Sequence, residues 1–311
     1  MNTKLNLAAV LLLSVGGVHA APVFINTGVD LNSDGNSLTA NFGALGLFPD
    51  ATSNYTNIGD GDSFLENLEV ANFIDVGTVL IDALQPLNSG SGDVEGFNLP
   101  TTGWGLRAAY TVSGTAQYFG STYDLSTVSS QDAVFGGGEG FLPTFASGTV
   151  EFFLVNASNS LGASVNGTKL LELDLSSGTT TIGNIILNGI VDYSWYSSLD
   201  GSLTTDQHFL IQNMFNFANG GGTFYSRGSG TNVGAVKWRD DFNIDPNLIP
   251  RFSTSTISSQ EFTSTVACNT GAACRTSNLN MTLRFDVPEP TSIALLGIGL
   301  LGFAASRRKL A

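Results

Sequence analysis

A loop near the start of the chain carries oxygen-bearing side chains at alternate positions. Asp30, Asn32, Asp34 and Asn36 stand at positions 1, 3, 5 and 7 of this loop, and Gly35 stands at position 6. This order is typical of an EF-hand-type Ca²⁺ loop, in which carboxylate and amide oxygens bind the ion. The ninth and twelfth positions carry Leu and Asn instead of further acidic ligands. We therefore expect either a Ca²⁺ site or an ordinary Asx-rich turn, and we predict no other cofactor.

Acidic residues on the predicted strands offer a second chemistry. Glu151, Glu172, Asp174 and Asp192 recur along segments that alternate apolar and polar residues. Glycoside hydrolysis needs two carboxylates roughly 5 to 9 Å apart, and these residues are its candidates. In an acidic β protein, however, such carboxylates usually form the solvated face of a sheet. The sequence favours a protein that is not an enzyme.

The remaining catalytic patterns are missing from the sequence. His208 is the single histidine left once His19 departs with the predicted leader, so a His-rich zinc site is excluded. We expect His208 to be structural. The chain contains neither a Gly-x-Ser-x-Gly elbow nor a Gly-Lys-Ser/Thr phosphate loop. One Gly-x-Gly-x-x-Gly match, at 297–302, lies in a C-terminal apolar run without a βαβ unit and is a false positive.

Aromatic side chains present a further alternative, because sugars stack on flat rings. The candidates for such a platform are Trp104, Trp195, Trp238, Tyr193, Tyr196 and Tyr225. Three Trp in a body of this size more often pack in the core or on a sheet face, and we favour that interpretation.

Short alternating segments separated by turn residues must position these groups. Thr149–Val155 and Lys169–Leu175 are good strand candidates, and turn signals recur about every 10 to 12 residues. Thr204–Phe217 is the best helix candidate, with Thr204 or Thr205 as N-cap. A further strand is expected at Thr223–Ser226. The pattern predicts an all-β fold, an antiparallel, jelly-roll-like β-sandwich with one short helix.

Composition agrees with export. The formal net charge is −14, and the loss of the basic residues at the two ends would leave eight basic residues against 26 acidic ones, or −18. Such a charge repels nucleic acid and anionic membrane surfaces, so no nucleic-acid partner is expected. Cys268 and Cys274 are the only cysteines, with five residues between them. In an oxidising compartment this pair predicts a disulfide at a hairpin tip.

The first 20 residues have the pattern of a secretory signal peptide. Lys4 supplies the positive charge, Leu5–Val18 the apolar segment, and the small residues before Ala21 the cleavage site. Cleavage between Ala20 and Ala21 is expected. The Sec translocon and signal peptidase would then be partners of the precursor.

The last 25 residues contain three zones. Val287, Pro288, Glu289 and Pro290 form a stiff, extended start, because proline fixes its own φ and restricts the residue before it. The uncharged run at 291–306 would span roughly 24 Å as a helix, slightly short for a bilayer core of about 30 Å. The chain then carries three basic residues, Arg307, Arg308 and Lys309, which should stay cytoplasmic.

The order of Pro-Glu-Pro, apolar helix and basic end resembles the PEP-CTERM sorting signal of Gram-negative bacteria. The resemblance covers only this tail. It implies recognition by an exosortase, a membrane-embedded transpeptidase-like enzyme, and processing near Pro288-Glu289-Pro290. The family is typical of bacteria that make exopolysaccharide and biofilm. The late Cys pair and the strand that leads into the tail also resemble flocculation-associated PEP-CTERM proteins, for which the implied role is polysaccharide retention.

Together these patterns predict a signal peptide at 1–20, an extracellular β-sandwich body at 21–286 and a sorting tail with a transmembrane helix at 287–311. The precursor would pass through the inner membrane and reach the outer surface or the extracellular matrix. The expected function is that of a non-enzymatic matrix protein with exopolysaccharide as partner. The alternatives are a carbohydrate- or Ca²⁺-dependent binding module and a secreted glycoside-active enzyme.

Overall fold

The computed structural model describes residues 22–56, 64–86, 94–98, 103–124, 133–134, 140–156, 158–181, 184–218, 221–228, 236–243, 251–253, 273–278 and 280–286. The signal peptide with Ala20 and Ala21, the sorting tail from Val287 onward, and Cys268 lie outside these ranges. Among the residues described, no helix is long and apolar enough to cross a membrane.

Sixteen strands make up most of the described chain. They are β1 (Val23–Ile25), β2 (Phe42–Thr56), β3 (Phe64–Leu65), β4 (Val70–Pro86), β5 (Gly105–Phe119), β6 (Tyr123–Asp124), β7 (Ala133–Val134), β8 (Gly140–Val155), β9 (Lys169–Thr181), β10 (Asn184–Asp192), β11 (Phe215–Phe217), β12 (Gly222–Thr223), β13 (Lys237–Asn243), β14 (Arg251–Ser253), β15 (Ala273–Asn278) and β16 (Asn280–Asp286). β3 and β6 form a separate pair, and the other 14 belong to one sheet.

The large sheet closes on itself. Its order runs β2-β4-β5-β8-β9-β10-β13-β16, and β16 pairs again with β2. Leu45 of β2, for example, lies opposite Leu84 of β4 on one edge and Leu283 of β16 on the other. The antiparallel all-β prediction is confirmed. The two layers expected of a sandwich are opposite walls of this one curled sheet.

Alternation along each strand explains which residues face inward. In β9, Leu171, Leu173 and Leu175 are buried, whereas Glu172 and Asp174 between them are half-buried on the outer wall. Because successive side chains point to opposite faces of a strand, a period of two gives one apolar face. The closed sheet thereby encloses a continuous apolar core.

Glycine permits close packing where β5 and β8 shift register at Ser113/Gly114. A Cβ placed on Gly114 would lie 2.0 Å from the carbonyl oxygen of Thr144, far inside van der Waals contact. Gly148 on β8 is also crowded, since its Cβ would lie 2.6 Å from the carbonyl oxygen of Thr111. These positions therefore require glycine.

Three short α-helices follow β10: α1 (Tyr196–Leu199), α2 (Thr205–Asn213) and α3 (Phe224–Gly228). The predicted helix is confirmed as α2, with Thr204 as N-cap and Gln207 completing a capping box. It ends at Asn213, earlier than expected, because Phe215–Phe217 pairs with β1 as β11. Short 3₁₀ turns lie at Ala163–Val165 and Asp200–Ser202.

The strand expected at Thr223–Ser226 is wrong for most of its length. Only Thr223 belongs to a strand, and Phe224 begins α3. The Thr223 hydroxyl accepts a hydrogen bond from the Ser226 backbone N–H at 3.0 Å, which is the local bonding of a helix start. Phe224 is fully buried against Phe217 and Phe285, so packing of this ring selects the helical turn.

The closed sheet has two different ends. We call the exit end the one at which β16 finishes with Asp286, and the other the far end. Register places these residues together at the exit end: Phe42, Pro86, Gly105, Val155, Lys169, Asp192, Lys237 and Asp286. The loop between β1 and β2, the segment 94–98 and the helices all connect strands at this end. At the far end, Thr181 of β9 lies opposite Asn184 of β10.

Candidate functional site

The loop predicted to bind Ca²⁺ is organised by its own side chains. The two carboxylate oxygens of Asp30 accept the backbone N–H groups of Ser33 and Gly35 at 2.7 and 2.9 Å. Asn32 accepts from the Asp34 N–H at 3.0 Å, and Asp34 accepts from the Asn36 N–H at 2.9 Å. The four predicted residues thus build one compact turn. Asp30, Asn32, Asp34 and Asn36 are all exposed.

The structure adds a carboxylate that the sequence did not indicate. Glu95 is fully buried, and its Oε2 accepts the Leu31 backbone N–H at 2.9 Å. Carboxylate oxygens of Asp30, Asp34 and Glu95 all lie within 4.8 Å of one another. Glu95 is 61 residues beyond Asp34, in a Gly-rich segment, and no local pattern in the sequence marks it as a partner of the loop.

The backbone holds Glu95 in a conformation that few side chains adopt. Its φ is +46°, in the left-handed region. The indole Nε1 of Trp104 donates a hydrogen bond to the Glu95 carbonyl oxygen at 2.7 Å, and the Trp104 ring is buried against Phe97. Strain of this kind persists where the surroundings over-determine it. The aromatic pair therefore fixes the buried carboxylate beside the Asx loop.

This arrangement fits a hard divalent cation. A buried carboxylate is costly unless a positive charge or hydrogen bonds compensate it, and two further carboxylates lie close by. Oxygen ligands of this kind are those that Ca²⁺ prefers. Asp30, Asp34 and Glu95 would hold the ion. The Asn36 amide oxygen instead accepts the Leu38 N–H at 2.7 Å, so its side chain serves the turn.

The candidate hydrolase carboxylates do come together on the outer wall near the exit end. Glu151 lies opposite Glu172, which lies opposite Asp192 on the next strand. Oxygens of Glu172, Asp174 and Asp192 lie within 4.8 Å of one another, slightly less than the roughly 5 to 9 Å of a hydrolase pair. Lys169 forms ion pairs with both Glu151 and Glu172.

Charge crowding acts on one member of this outer cluster. Burial raises the pKa of the Asp174 carboxyl above 3.8, and the charges of Asp192 and Glu172 raise it further, whereas Lys169 lowers it. The Lys169 ammonium also lies 4.6 Å from the centre of the Trp195 ring. Together these contacts describe an ion-paired network on a sheet face.

The predicted aromatic platform packs mostly on itself. The rings of Tyr193 and Trp195 stack at 6.1 Å, and Tyr225 meets Tyr193 edge-on at 5.4 Å. Tyr196 meets Trp195 and Tyr225 edge-on in the same cluster. Trp104 is buried elsewhere, and Trp238 lies opposite Phe285 in the β13–β16 register. Core and sheet-face packing, the favoured interpretation, accounts for these contacts.

His208 has structural partners. Its Nδ1 shares a hydrogen bond with the Tyr196 hydroxyl, to which the Gln212 amide also donates at 2.8 Å. A carboxylate oxygen of Asp200 lies 3.5 Å from the same ring nitrogen. Burial raises the pKa of Tyr196, and the nearby Asp200 charge acts in the same direction, while the Gln212 hydrogen bond opposes it. The phenol is therefore held in its neutral form.

The two predicted processing sites border the described body directly. Pro22 follows the expected cleavage site by one residue, and its carbonyl accepts the Ala218 N–H at 2.9 Å. Asp286, opposite Lys237, ends β16 immediately before Val287. Cys274 lies in β15, but Cys268 is outside the described residues, so the disulfide stays a prediction.

A family model for the PEP-CTERM protein-sorting motif matches residues 286–309. This match confirms the predicted sorting tail and marks a secreted, cell-surface-directed protein that an exosortase sorts. Comparison with curated proteins and with solved structures gives no match.

Proposed function

Because this chain carries a PEP-CTERM protein-sorting motif, we propose that its body is a non-enzymatic component of the exopolysaccharide matrix, released or transferred at the outer surface of a Gram-negative bacterium. The precursor would be exported by the Sec translocon, trimmed by signal peptidase and held in the inner membrane until an exosortase acts. Exopolysaccharide would be the partner of the mature body, and cell aggregation the outcome.

The observation that carries this proposal is the matched motif, which begins at Asp286, the last residue of the closed sheet. The sorting signal is thus joined to a folded body without a linker. In the described part of the chain, the candidate carboxylates Glu151 and Glu172 form ion pairs with Lys169, and the His208 ring hydrogen-bonds the Tyr196 hydroxyl. This engagement supports a binding or structural role for the body.

The test compares the native host with a strain in which Pro288, Glu289 and Pro290 are replaced by alanine. We expect the variant to stay in the inner-membrane fraction and the strain to aggregate less and retain less exopolysaccharide. A Ser202→Ala strain, altered at an exposed position of the body, is the matched control. Unchanged sorting in the triple variant would refute exosortase processing. If the triple variant stays in the inner-membrane fraction but its strain aggregates as much as the wild type, the matrix role alone would be refuted.

A Ca²⁺-dependent binding module is the second candidate function. The position of Glu95 supports it, because a fully buried carboxylate lies beside Asp30 and Asp34. A bound ion would join the loop between β1 and β2 to the segment 94–98 and stiffen the exit end. Calorimetric titration of the chelator-treated mature protein with Ca²⁺ is expected to give one saturable site that Mg²⁺ fills poorly. No heat beyond dilution would exclude this function.

A further inference from the structure

The two ends of the mature body lie together. Val23 of β1 is opposite Phe42, and Leu283 of β16 is opposite Leu45, only three residues further along the same strand. Both strands run antiparallel to β2, so β16 finishes in the region where β1 begins. The chain that follows the signal peptide and the chain that enters the sorting tail therefore meet at the exit end.

Buried aromatic rings tie these two ends to each other. Phe285 directly precedes Asp286, the last residue of β16, and its ring meets the ring of Phe224 edge-on at 4.8 Å. Phe224 stacks on Phe217 at 4.5 Å, and Phe217 is the register partner of Val23. The rings are 0–3% exposed, so this contact is part of the core. The end of β16 is therefore joined to β1 through the core.

The tether between sheet and membrane is short. From Asp286 to Thr291, where the apolar run starts, there are five residue steps, which span at most about 18 Å when fully extended. A single helix with its side chains is already about 10 Å thick. The loops and helices at the exit end must fit within this gap, which brings them close to the bilayer surface.

The exit end presents apolar side chains to solvent. Val29, Leu199 and Phe209 are 39–40% exposed and belong to the β1–β2 loop, α1 and α2. A Cβ placed on Gly28 would lie 2.6 Å from the Phe209 ring, so α2 packs directly on that loop. Val29 follows Gly28 in sequence and therefore lies near Phe209. Apolar side chains of this kind are suited to the interfacial region of a membrane.

We propose that the tethered precursor stands with its exit end against the bilayer, and that Val29, Leu199 and Phe209 contact zwitterionic lipid headgroups. This inference rests on the proposed inner-membrane intermediate. Exposed carboxylates at the same end, including Asp200 and Asp206, repel anionic lipids, which is why the zwitterionic surface is the partner. The far end points away from the cell membrane.

The orientation has a measurable consequence. β5 has 15 residues, and a strand of that length tilted in a closed sheet separates the two ends by about 40 Å. We would place a donor dye by a non-natural amino acid at Gly201, on the exit end, or at Ser121, beyond β5 at the far end. Both positions are exposed, and this labelling leaves the cysteines untouched.

The full-length precursor is reconstituted in phosphatidylcholine vesicles that carry an acceptor-labelled lipid. Energy transfer is expected to be high from position 201 and low from position 121. The Leu199→Ser/Phe209→Ser double variant is expected to reduce transfer from position 201. Leu80→Ser, which alters a 58%-exposed apolar residue on the outer wall, should leave it unchanged.

Equal transfer from both positions, or higher transfer from position 121, would overturn the proposed orientation. An unchanged signal in the double variant would overturn the apolar contact. Flotation of the vesicles is measured in parallel. A precursor that fails to float with them lacks a membrane anchor, and that result would refute the membrane intermediate of the proposed function as well.

Discussion

Replacing Glu95 by glutamine tests whether the Glu95 carboxylate binds a cation or only accepts a structural hydrogen bond. Glutamine keeps the shape and an oxygen that can accept the Leu31 N–H, but it removes the buried charge. In Ca²⁺-free buffer we expect the variant to be as stable as the native protein or more stable. The reason is repulsion: at 4.8 Å, two carboxylates repel by about 3 kcal/mol at an effective dielectric of about 20, before water screens the exposed partners.

With Ca²⁺ present, we expect the native protein to be more stable than the Glu95→Gln variant. At a free concentration one hundred times Kd, binding adds about 2.7 kcal/mol to the free energy of unfolding, which raises Tm by about 5–10 °C in a body of this size. If Glu95→Gln weakens binding a hundredfold, the gain at the same concentration falls to about 0.4 kcal/mol. The native protein should therefore gain several degrees, and the variant about one.

The assay is differential scanning calorimetry of the mature protein after chelator treatment, with and without added Ca²⁺. Glu172→Gln is the matched control, because Glu172 belongs to the other carboxylate cluster of the same sheet. It should keep the full Ca²⁺ gain. An equal gain in the native protein and in Glu95→Gln would refute the assignment of Glu95 as a ligand. If only Glu172→Gln loses the stabilisation by Ca²⁺, the ion binds at the carboxylate cluster on the outer wall.

Further predictions concern the packing and charge of the closed sheet. Gly114→Ala is expected to destabilise the protein by about 1–3 kcal/mol in urea unfolding, because the added methyl overlaps a backbone carbonyl. Asn156→Ala should cost about 2–4 kcal/mol in the same assay. The fully buried Asn156 side chain donates to the Gly162 carbonyl and accepts from Ser160 and Leu161, and these groups would lose their partner. Since the pKa of Asp174 is raised in the folded state, that state binds the proton more tightly than the unfolded chain. Stability should then fall as pH rises through the interval above 3.8, and Asp174→Asn should flatten this part of the Tm profile.

Each of these changes has a control on the same scaffold. Gly201→Ala meets nothing within 4 Å and should change stability by no more than about 0.5 kcal/mol. Ser164→Ala alters an exposed residue in the loop that Asn156 organises, and Asp206→Asn removes an exposed carboxylate of α2. A Gly114 variant as stable as its control would contradict the crowding argument. Parallel pH profiles for the native protein and Asp174→Asn would contradict the assigned sign.

Sequence order alone identified the features that depend on near neighbours. The sorting tail follows from the succession of Pro-Glu-Pro, an uncharged run and three basic residues, and the family model confirms it at 286–309. Alternation in Lys169–Leu175 predicted a strand, and Thr204 or Thr205 as N-cap predicted the start of α2. Each signal is local because side-chain direction and helix capping are set within a few residues.

Tertiary structure decided what depends on pairs far apart in the chain. Closure of the sheet requires β2 to meet β16, more than 200 residues later, and no periodicity within either strand specifies that partner. The same closure carries Glu95 to the loop at Asp30 and Asp34, and it sets Val23 beside the end of β16. Strands with one apolar face can pair with any complementary edge, so the choice among partners comes from the packing of the whole core around rings such as Phe224 and Phe285. The sequence determined the sorting signal and the local alternation from which strands such as β9 were predicted. The folded core determined which end of the body the sorting signal leaves.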